Sequence, residues 1–396
     1  MFYNSLHKYL ILMLIIVSMF FGISDTYTQT TAISTLHDQT HATASEQKKA
    51  AQDSTKAKRG SFIPVPFIST DQNLGYGGAL AIGYIHADKK ATRKDTPPTI
   101  SGIAGGGTAT KSWIVALLHS QSFKEDNIRY LGGIFYANVN LDYYQLGKIN
   151  LSSHPIAINM KEWGVLQRLQ FKAGKSDFFI GPQYTFLSAE TGLNIQGDSS
   201  HPKLEPLIDF LDSLDSRQYL SSLGIIIDYD TRRNTLSPKK GFHTGIDANY
   251  NATWLGASKN FFKGDLYFYA YVPLTKWLFS IYHFDYQLTA GDVPFYMKPF
   301  VELRGAPMMR YQGNQTMLAE IQLRGYFTKS LALVAFTGTG KAFDIFSEFG
   351  PAQWIVNYGA GFRWEMEKIF GLRVGADFAW TNNNDFGWYI VIGTGL

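Results

Sequence analysis

The sequence predicts an all-β protein, a transmembrane antiparallel β-barrel of about 16 strands. Three observations predict it. Short segments alternate apolar and polar residues, the apolar face repeatedly ends in Trp or Tyr, and the N-terminus has the pattern of an export signal. Because lipid offers no hydrogen-bond partners to the backbone, strands can span it only as a closed barrel. A secreted sandwich or jelly roll is the alternative fold.

Composition limits the function classes. The 396 residues are 17% charged, and the formal net charge of +4 is too balanced for a nucleic-acid binder. Aromatic residues make up 15% and glycine occurs 37 times, a mixture that favours strands joined by tight turns. The chain contains no cysteine, which excludes disulfides, thiolate metal sites and a lipidated N-terminal cysteine.

Residues 1–24 show the pattern of an export signal, in which Lys8 precedes the apolar run Tyr9–Phe21. This is the layout of a secretory signal peptide, and an uncleaved anchor is the alternative. Residues 25–59 are rich in Thr, Ser, Gln, Ala and Lys without an apolar period, which predicts a disordered periplasmic tail. Residues 60–396 are then the transmembrane β-barrel.

Alternation with a period of two runs through the predicted barrel. In Val356–Trp364, Val, Tyr, Ala, Phe and Trp alternate with Asn, Gly, Gly and Arg363. In Leu372–Trp380, Leu, Val, Ala, Phe and Trp alternate with Arg, Gly, Asp377 and Ala. Successive side chains leave a strand on opposite faces, so each segment predicts a strand with one face to lipid and the other to the lumen.

Counting such segments predicts sixteen strands. Their centres are expected near Pro64, Ala79, Ala104, Val115, Ile134, Leu166, Gly181, Gly224, Ile246, Phe268, Ile281, Ile321, Val334, Gly359, Gly375 and Ile390. The predicted periplasmic turns include Ala173–Asp177, Pro273–Lys276 and Thr328–Ser330. The predicted long extracellular loops are Asn138–Lys161, Ser188–Gln218 and Ala290–Asn314, and Lys203–Asp215 in the second has helical spacing.

Four motifs in order carry a family resemblance. They are "PVPFISTDQNLGYGGAL" from Pro64, "DYDTRRNTLSPKKGF" from Asp228, Arg304-Gly305 followed by Glu320 in "AEIQLRG", and "YGAGFRW" from Tyr358. They resemble the first hairpin, the D-x-R-x-N…P-x-x-G turn, the sixth loop with its following strand, and the G-x-G-x-R strand of the Omp85 superfamily (BamA/TamA, bacterial surface antigen D15). The residues that match the turn motif are Asp230, Arg232, Asn234, Pro238 and Gly241.

The resemblance implies that Ala290–Asn314 folds back into the lumen, with Arg304 and Gly305 as its anchor. The implied partners on the inner wall are Glu320, Arg324, Arg363 and Asp377. The alternation of side chains along the strand places Glu320 inward. A buried guanidinium tolerates desolvation only beside a carboxylate and further hydrogen bonds. The alternative is that the arginines merely line a wet lumen.

The sequence departs from the family pattern in three places. Ala306 follows Arg-Gly where the family has an aromatic residue, and Phe336-Thr337-Gly338 stands where an "F-x-D" segment would supply a carboxylate. Family assembly factors also carry periplasmic POTRA domains ahead of the barrel. The stretch 25–59 is too short for one compact domain, so we expect none in this chain.

The first strand contains Pro64 and Pro66, two residues apart, and the last contains Gly393 and Gly395. Residues i and i+2 direct their backbone groups to the same edge, so one edge of the first strand lacks two donors. The closure between the first and last strands is therefore predicted to be a weak lateral seam. The alternative is that shear places the prolines beyond the last ladder pair.

The sequence has no G-x-S-x-G elbow, so we expect no enzyme, metal site or cofactor. One function is assistance of protein insertion into, or translocation across, the outer membrane of a Gram-negative bacterium through a gated barrel. Its expected partners are outer-membrane lipid, client outer-membrane proteins and periplasmic proteins in trans, with no nucleic acid. The alternative is a passive diffusion pore or structural surface antigen.

Overall fold

In the computed structural model, sixteen antiparallel strands form one sheet in chain order, and a separate pair of two-residue strands lies outside it. The structure describes residues 61–71, 75–86, 99–146, 149–150, 156–193, 217–232, 238–328, 330–367 and 372–392. The strands are β1 (Ser61–Asp71), β2 (Gly75–Ile85), β3 (Ile100–Thr108), β4 (Trp113–Phe123), β5 (Ile128–Tyr143), β6 (Gln145–Leu146), β7 (Ile149–Asn150), β8 (Ile156–Lys172), β9 (Phe178–Leu193), β10 (Arg217–Asp230), β11 (Gly241–Asn251), β12 (Phe261–Pro273), β13 (Leu278–Gly291), β14 (Gln315–Tyr326), β15 (Leu331–Phe343), β16 (Ile355–Glu367), β17 (Leu372–Thr381) and β18 (Phe386–Ile392).

The sheet curls into a barrel. Each strand pairs with the next, β5 pairs directly with β8, and the short pair β6–β7 stands apart. Strand β1 also lies beside β18, with Cα atoms within 8 Å. Over the described residues, the register pairs of β1 join it to β2 alone, from Ser61↔Ile85 to Asp71↔Gly75. Within the described ranges no helix is long and apolar enough to cross a membrane.

The predicted strands are confirmed, since all sixteen predicted centres fall inside the sixteen strands of the barrel. The predicted turns also lie between strands: β8 ends just before Ala173–Asp177, and β12 and β14 are each followed by a short connection. The loop Ala290–Asn314 is confirmed to within two residues at its start and agrees at its end. Residues 1–24 and 25–59 and the helical spacing at Lys203–Asp215 fall outside the described residues.

Two of the predicted loops are too long. Strands β5 and β8 continue as a ladder up to Tyr143↔Ile156, inside the predicted loop Asn138–Lys161. Strand β9 runs to Leu193 and β10 begins at Arg217, so the predicted loop Ser188–Gln218 is also too long.

The ends of β5 and β8 have polar outer side chains and apolar inner side chains, which is why the sequence pattern predicted loops there. On the outer face, the Asn159 side-chain amide donates to the side-chain oxygens of Asn138 and Asn140, at 2.8 Å in both cases. On the inner face Val139 and Met160 are buried. Polar outside and apolar inside is the reverse of the lipid-spanning part. These ends therefore rise above the apolar belt and enclose an apolar core instead of a wet lumen.

The outer face of the barrel shows the expected aromatic ends. Tyr250, Trp364 and Trp380 are exposed, as predicted for girdles at the membrane surfaces. On the long-loop side, Trp113 packs against Tyr136 with ring centroids 5.4 Å apart. This pair of rings marks the level at which the outward side chains of β5 and β8 change from apolar to polar.

We predict a depth-dependent cost for charge on the outer face. Ile246→Arg, at the middle of β11 where the side chain is exposed, should destabilise the barrel by about 2–4 kcal/mol because the charge would sit in hydrocarbon. Ala157→Arg, exposed on the raised end of β8, should cost about 0–1 kcal/mol. Urea unfolding in lipid vesicles measures both, and equal costs would contradict the assigned membrane level.

Candidate functional site

Residues 292–314, which join β13 to β14, lie inside the barrel, and we call them the tucked loop. Their apolar side chains pack against the raised ends of the wall strands and fill the long-loop half of the lumen. The buried loop residues of this core are Tyr296, Met297, Phe300, Met308 and Met309, and the wall residues include Phe135, Val139, Leu141, Ile158, Met160 and Leu187. The loop is thus held by the same hydrophobic effect that builds a soluble core.

The tucked loop has its own hairpin-like backbone. The Val301 N–H donates to the Tyr311 carbonyl at 2.9 Å, and Phe300 and Gln312 form an antiparallel bridge. The tip closes by a hydrogen bond of 3.0 Å from the Ala306 N–H to the Leu303 carbonyl. This internal order presents the tip as a fixed unit to the inner wall.

Arg304 at the tip lies in a cradle built by three wall strands. Its Nη2 donates to Glu320 Oε1 at 2.6 Å, and its Nη1 donates to Asp377 Oδ2 at 2.8 Å and to Gln322 Oε1 at 2.9 Å. Its guanidinium carbon lies 3.4 Å from the ring centroid of Phe336. Two carboxylates, an amide and an aromatic face together replace the water that this cation loses.

A second arginine completes the charge balance. Arg363 on β16 is fully buried and forms a bidentate pair with Asp377, with distances of 2.6 and 2.8 Å. Asp377 on β17 therefore bridges Arg304 and Arg363. With Glu320, the direct ion pairs of the network join two cations to two carboxylates.

Other polar groups complete the network. Asn357 Nδ2 donates to Glu320 Oε2 at 2.8 Å and to the Arg304 carbonyl at 3.0 Å. Arg324, predicted as another inner-wall partner, is buried on the inward face of β14, two positions from Gln322. These contacts are ion pairs and hydrogen bonds, and they form an ionic latch between a loop and a wall.

Gly305 gives the tip its sharp bend. Its φ of +91° is in the left-handed region, and a Cβ there would lie 3.1–3.2 Å from atoms of Ala379. Its N–H donates to the Tyr389 hydroxyl oxygen at 2.9 Å. Since Tyr389 is on β18, the loop tip is bonded to the last strand of the barrel.

A second anchor was not predicted. Arg310 forms an ion pair with the buried Asp385, and the Tyr311 hydroxyl donates to the other carboxylate oxygen at 2.8 Å. Burial and that hydrogen bond raise the pKa of Tyr311 to about 12, so its hydroxyl keeps its proton at physiological pH. Asp385 lies in the "NNND" turn between β17 and β18, where the sequence offers no signal that distinguishes it from a surface residue.

Gly338 stands where the family pattern would supply a carboxylate, and it lies opposite Glu320 in the β14–β15 ladder. The second carboxylate on Arg304 comes instead from Asp377, 73 residues along the chain, and Phe336 lies under the guanidinium. Sequence parity had placed Asp377 inward without indicating which arginine it meets.

The turn motif forms a local clamp after β10. Asp230 pairs with Arg232 at 2.9 Å and also accepts its backbone N–H at 3.0 Å. Pro238 is buried, and Gly241 has φ +121°, with a hypothetical Cβ only 3.0 Å from the Thr231 carbonyl. Asn234 falls outside the described residues.

The predicted seam between the first and last strands stays a prediction. The ladder between β1 and β2 runs through both prolines, as Pro64↔Ile82 and Pro66↔Leu80. Strand β1 is the first strand of the sheet, the position that tolerates proline best. Gly393 and Gly395 fall outside the described residues.

Glu162 is another buried carboxyl on the inner wall of the barrel. It is 1% exposed on the inward face of β8, beside Met160, and both carboxylate oxygens are without a hydrogen-bond partner among the described residues. An ionised carboxylate in such surroundings costs free energy unless it is paired. Glu162 is two residues from Met160, so the period of two places both side chains on the inner face. The sequence analysis did not identify Glu162 on this basis.

Comparison with known proteins supports the fold. No protein-family model matches the sequence, and no curated protein matches it. Among solved structures, the chain is similar to BamA from Haemophilus ducreyi lacking POTRA domains 1–3 (TM-score 0.56, 14% identity, covering 84% of this chain and 70% of that one). It is also similar to CdiB from Escherichia coli (TM-score 0.58, 9% identity, 84% and 62% covered) and CdiB from Acinetobacter baumannii (0.53, 10%, 85% and 59%). The fold is therefore similar to the barrels of BamA and CdiB.

We predict that Gly305→Ala loosens the tucked loop. An alanine at this backbone conformation is strained and would press on Ala379, at a cost of about 1–3 kcal/mol. Amide hydrogen exchange should become faster in 299–313. Gly350→Ala is the matched control, because a Cβ there meets nothing within 4 Å. Unchanged exchange in the first variant would mean that the tip does not depend on this bend.

Two substitutions of the same type should act in opposite directions. Glu320→Gln leaves Arg304 short of charge and should lower the free energy of unfolding by about 3–5 kcal/mol. Glu162→Gln removes a buried carboxyl that has no hydrogen-bond partner among the described residues, and should raise the free energy of unfolding by about 1–3 kcal/mol. Urea unfolding of both variants at neutral pH checks the signs, and a loss at Glu162 would show that this carboxylate has a partner.

Proposed function

We propose that this chain is a gated barrel of the outer membrane of a Gram-negative bacterium, which assists insertion of proteins into that membrane or their translocation across it. The observation that carries the proposal is the Arg304 latch, in which a loop tip is held in the lumen by Glu320 and Asp377. A latch of buried ion pairs has two discrete states, seated and released, which is what a gate requires.

The position of the latch supports coupling to the seam. Asp377 is on β17 and Tyr389 is on β18, so the loop tip is bonded to the two strands that end the sheet. Strand β18 lies beside β1, whose two prolines lack backbone N–H groups. A movement of the tucked loop would therefore first affect the predicted seam between β1 and β18.

The tucked loop argues against a passive pore. Its apolar side chains fill the long-loop half of the lumen together with the raised strand ends, and solute would have to pass through that packed core. A passive pore or structural surface antigen remains the second candidate, and the loop is the feature on which the two differ. We propose no catalytic activity and no cofactor.

The proposed partners follow from the proposed role. A barrel that opens at its edge would receive client outer-membrane proteins as unpaired strands, since an exposed strand edge is a template for pairing with another chain. Periplasmic proteins in trans would deliver the clients.

Planar-bilayer conductance of the refolded chain tests the proposal. We expect small, flickering currents for the wild type and currents several-fold larger for Arg304→Ala, because the loop would leave the lumen. Arg217→Ala is the control: it removes a cation of an exposed ion pair with Glu190 on the outer rim, and should change nothing.

An insertion assay completes this test. Vesicles that contain the wild type should accelerate insertion of an unfolded outer-membrane barrel protein relative to empty vesicles, and Arg304→Ala should reduce that acceleration. Large, steady currents that are indifferent to Arg304, with no acceleration, would support the passive pore and overturn the proposal.

A further inference from the structure

A polar patch interrupts the lipid-facing surface on one side of the barrel. It consists of His86, Ser101, His119, Gln121, Tyr130 and Gln167, contributed by the end of β2 and by β3, β4, β5 and β8. Their neighbours fix the direction in which they point. On β4 the odd positions Trp113, Val115 and Leu117 are exposed while Ala116 is buried, so His119 and Gln121 also face outward.

The other strands give the same direction. On β3 Ile103 is exposed, on β5 Ile134 is exposed and on β8 Trp163 is exposed, each on the face that carries the patch residue of that strand. The six side chains are half-buried and accessible from outside the barrel.

The patch lies inside the apolar belt. Along β4 the outward residues run from Trp113 at the long-loop side to Phe123 at the turn side, and both are exposed. With a rise of about 3.3 Å per residue and a tilt of about 40°, these rings lie roughly 25 Å apart, the usual height of the belt. His119 is then about 10 Å inside the turn-side ring. Polar side chains at that depth are costly and mark contacts or functional sites.

The patch is joined by its own hydrogen bonds. Ser101 Oγ lies 2.8 Å from His86 Nε2 and 2.9 Å from His119 Nδ1, and His119 Nε2 lies 3.5 Å from Gln121 Oε1. The Tyr130 hydroxyl donates to Gln167 Oε1 at 2.5 Å. Both glutamines thus use their oxygens inside the patch. In the part of the chain that the structure describes, neither side-chain amide N–H₂ donates a hydrogen bond, so these groups need an acceptor that lipid tails do not offer.

We propose that this patch is a docking surface for a second copy of this chain in the membrane. The patch contains no acidic, lysine or arginine side chain, so its complement is another uncharged polar surface. Each of its side chains both donates and accepts hydrogen bonds, and two primary amides can pair with each other. Copies inserted in the same direction carry the patch at the same depth, so a two-fold axis along the membrane normal brings patch onto patch.

Single cysteines test this contact cleanly, because the chain has none of its own. The Gln121→Cys variant of the full chain, refolded into vesicles at a low protein-to-lipid ratio and oxidised, should form several-fold more disulfide-linked dimer than the Leu323→Cys variant. Leu323 is the matched control: it is exposed on the outer face of β14, on the opposite side of the barrel. It lies three residues from the turn-side end of its strand, and Gln121 lies two residues from that end of β4.

A second measurement uses the protein without cysteine. Single-molecule photobleaching of labelled wild type in vesicles should show pairs, and the double variant His119→Leu with Gln121→Leu should be monomeric while still folded by its gel mobility without heating. Equal cross-linking of the two cysteine variants, or a monomeric wild type, would overturn the proposal. Cross-linking of Gln121→Cys to a different protein in native membranes would overturn the second copy as the occupant.

Discussion

The structure depends on one constraint: the guanidinium of Arg304 is inside the barrel and must be neutralised there. Removal of a cation from water costs several kcal/mol, and only close carboxylates with further hydrogen bonds offset it. Glu320 and Asp377 supply the charge, and Arg363 balances the second carboxylate. This network ties β14, β16 and β17 to the loop tip. It explains why a glycine follows the arginine, since the bend must bring the backbone against β17.

A second theme is that the barrel has two different interiors. Near the Arg304 network the lumen is polar, and charged side chains balance one another. Above it, the tucked loop turns the raised ends of β5, β8 and β9 into the shell of an apolar core. The same strands therefore change their inside-to-outside polarity along their length. A strand in this molecule cannot be assigned an outward apolar face without knowing its height relative to the membrane.

The region around β1 combines three unusual features of the wall. On one side, β18 carries Tyr389, which holds the loop tip. On the other side, β2 to β8 carry a polar patch where the belt should be apolar. Between them, β1 contributes two prolines to a ladder with β2. The Tyr389 contact, the two prolines and the polar outer patch thus lie in one sector of the barrel.

The sequence by itself determined the strands and their faces. A period of two places every strand centre and sends Glu320 and Asp377 inward, because side-chain direction in a strand depends only on parity. Resemblance to a family, confirmed here for the fold, indicated that Arg304 is the anchor. Only the tertiary structure decided which groups meet it: Asp377 and Phe336 are distant in sequence, and the pairing of Arg310 with Asp385 has no local signal. The extent of the raised strand ends also became known only from the tertiary structure. An alternating pattern does not indicate whether lipid, water or a folded loop lies against each face.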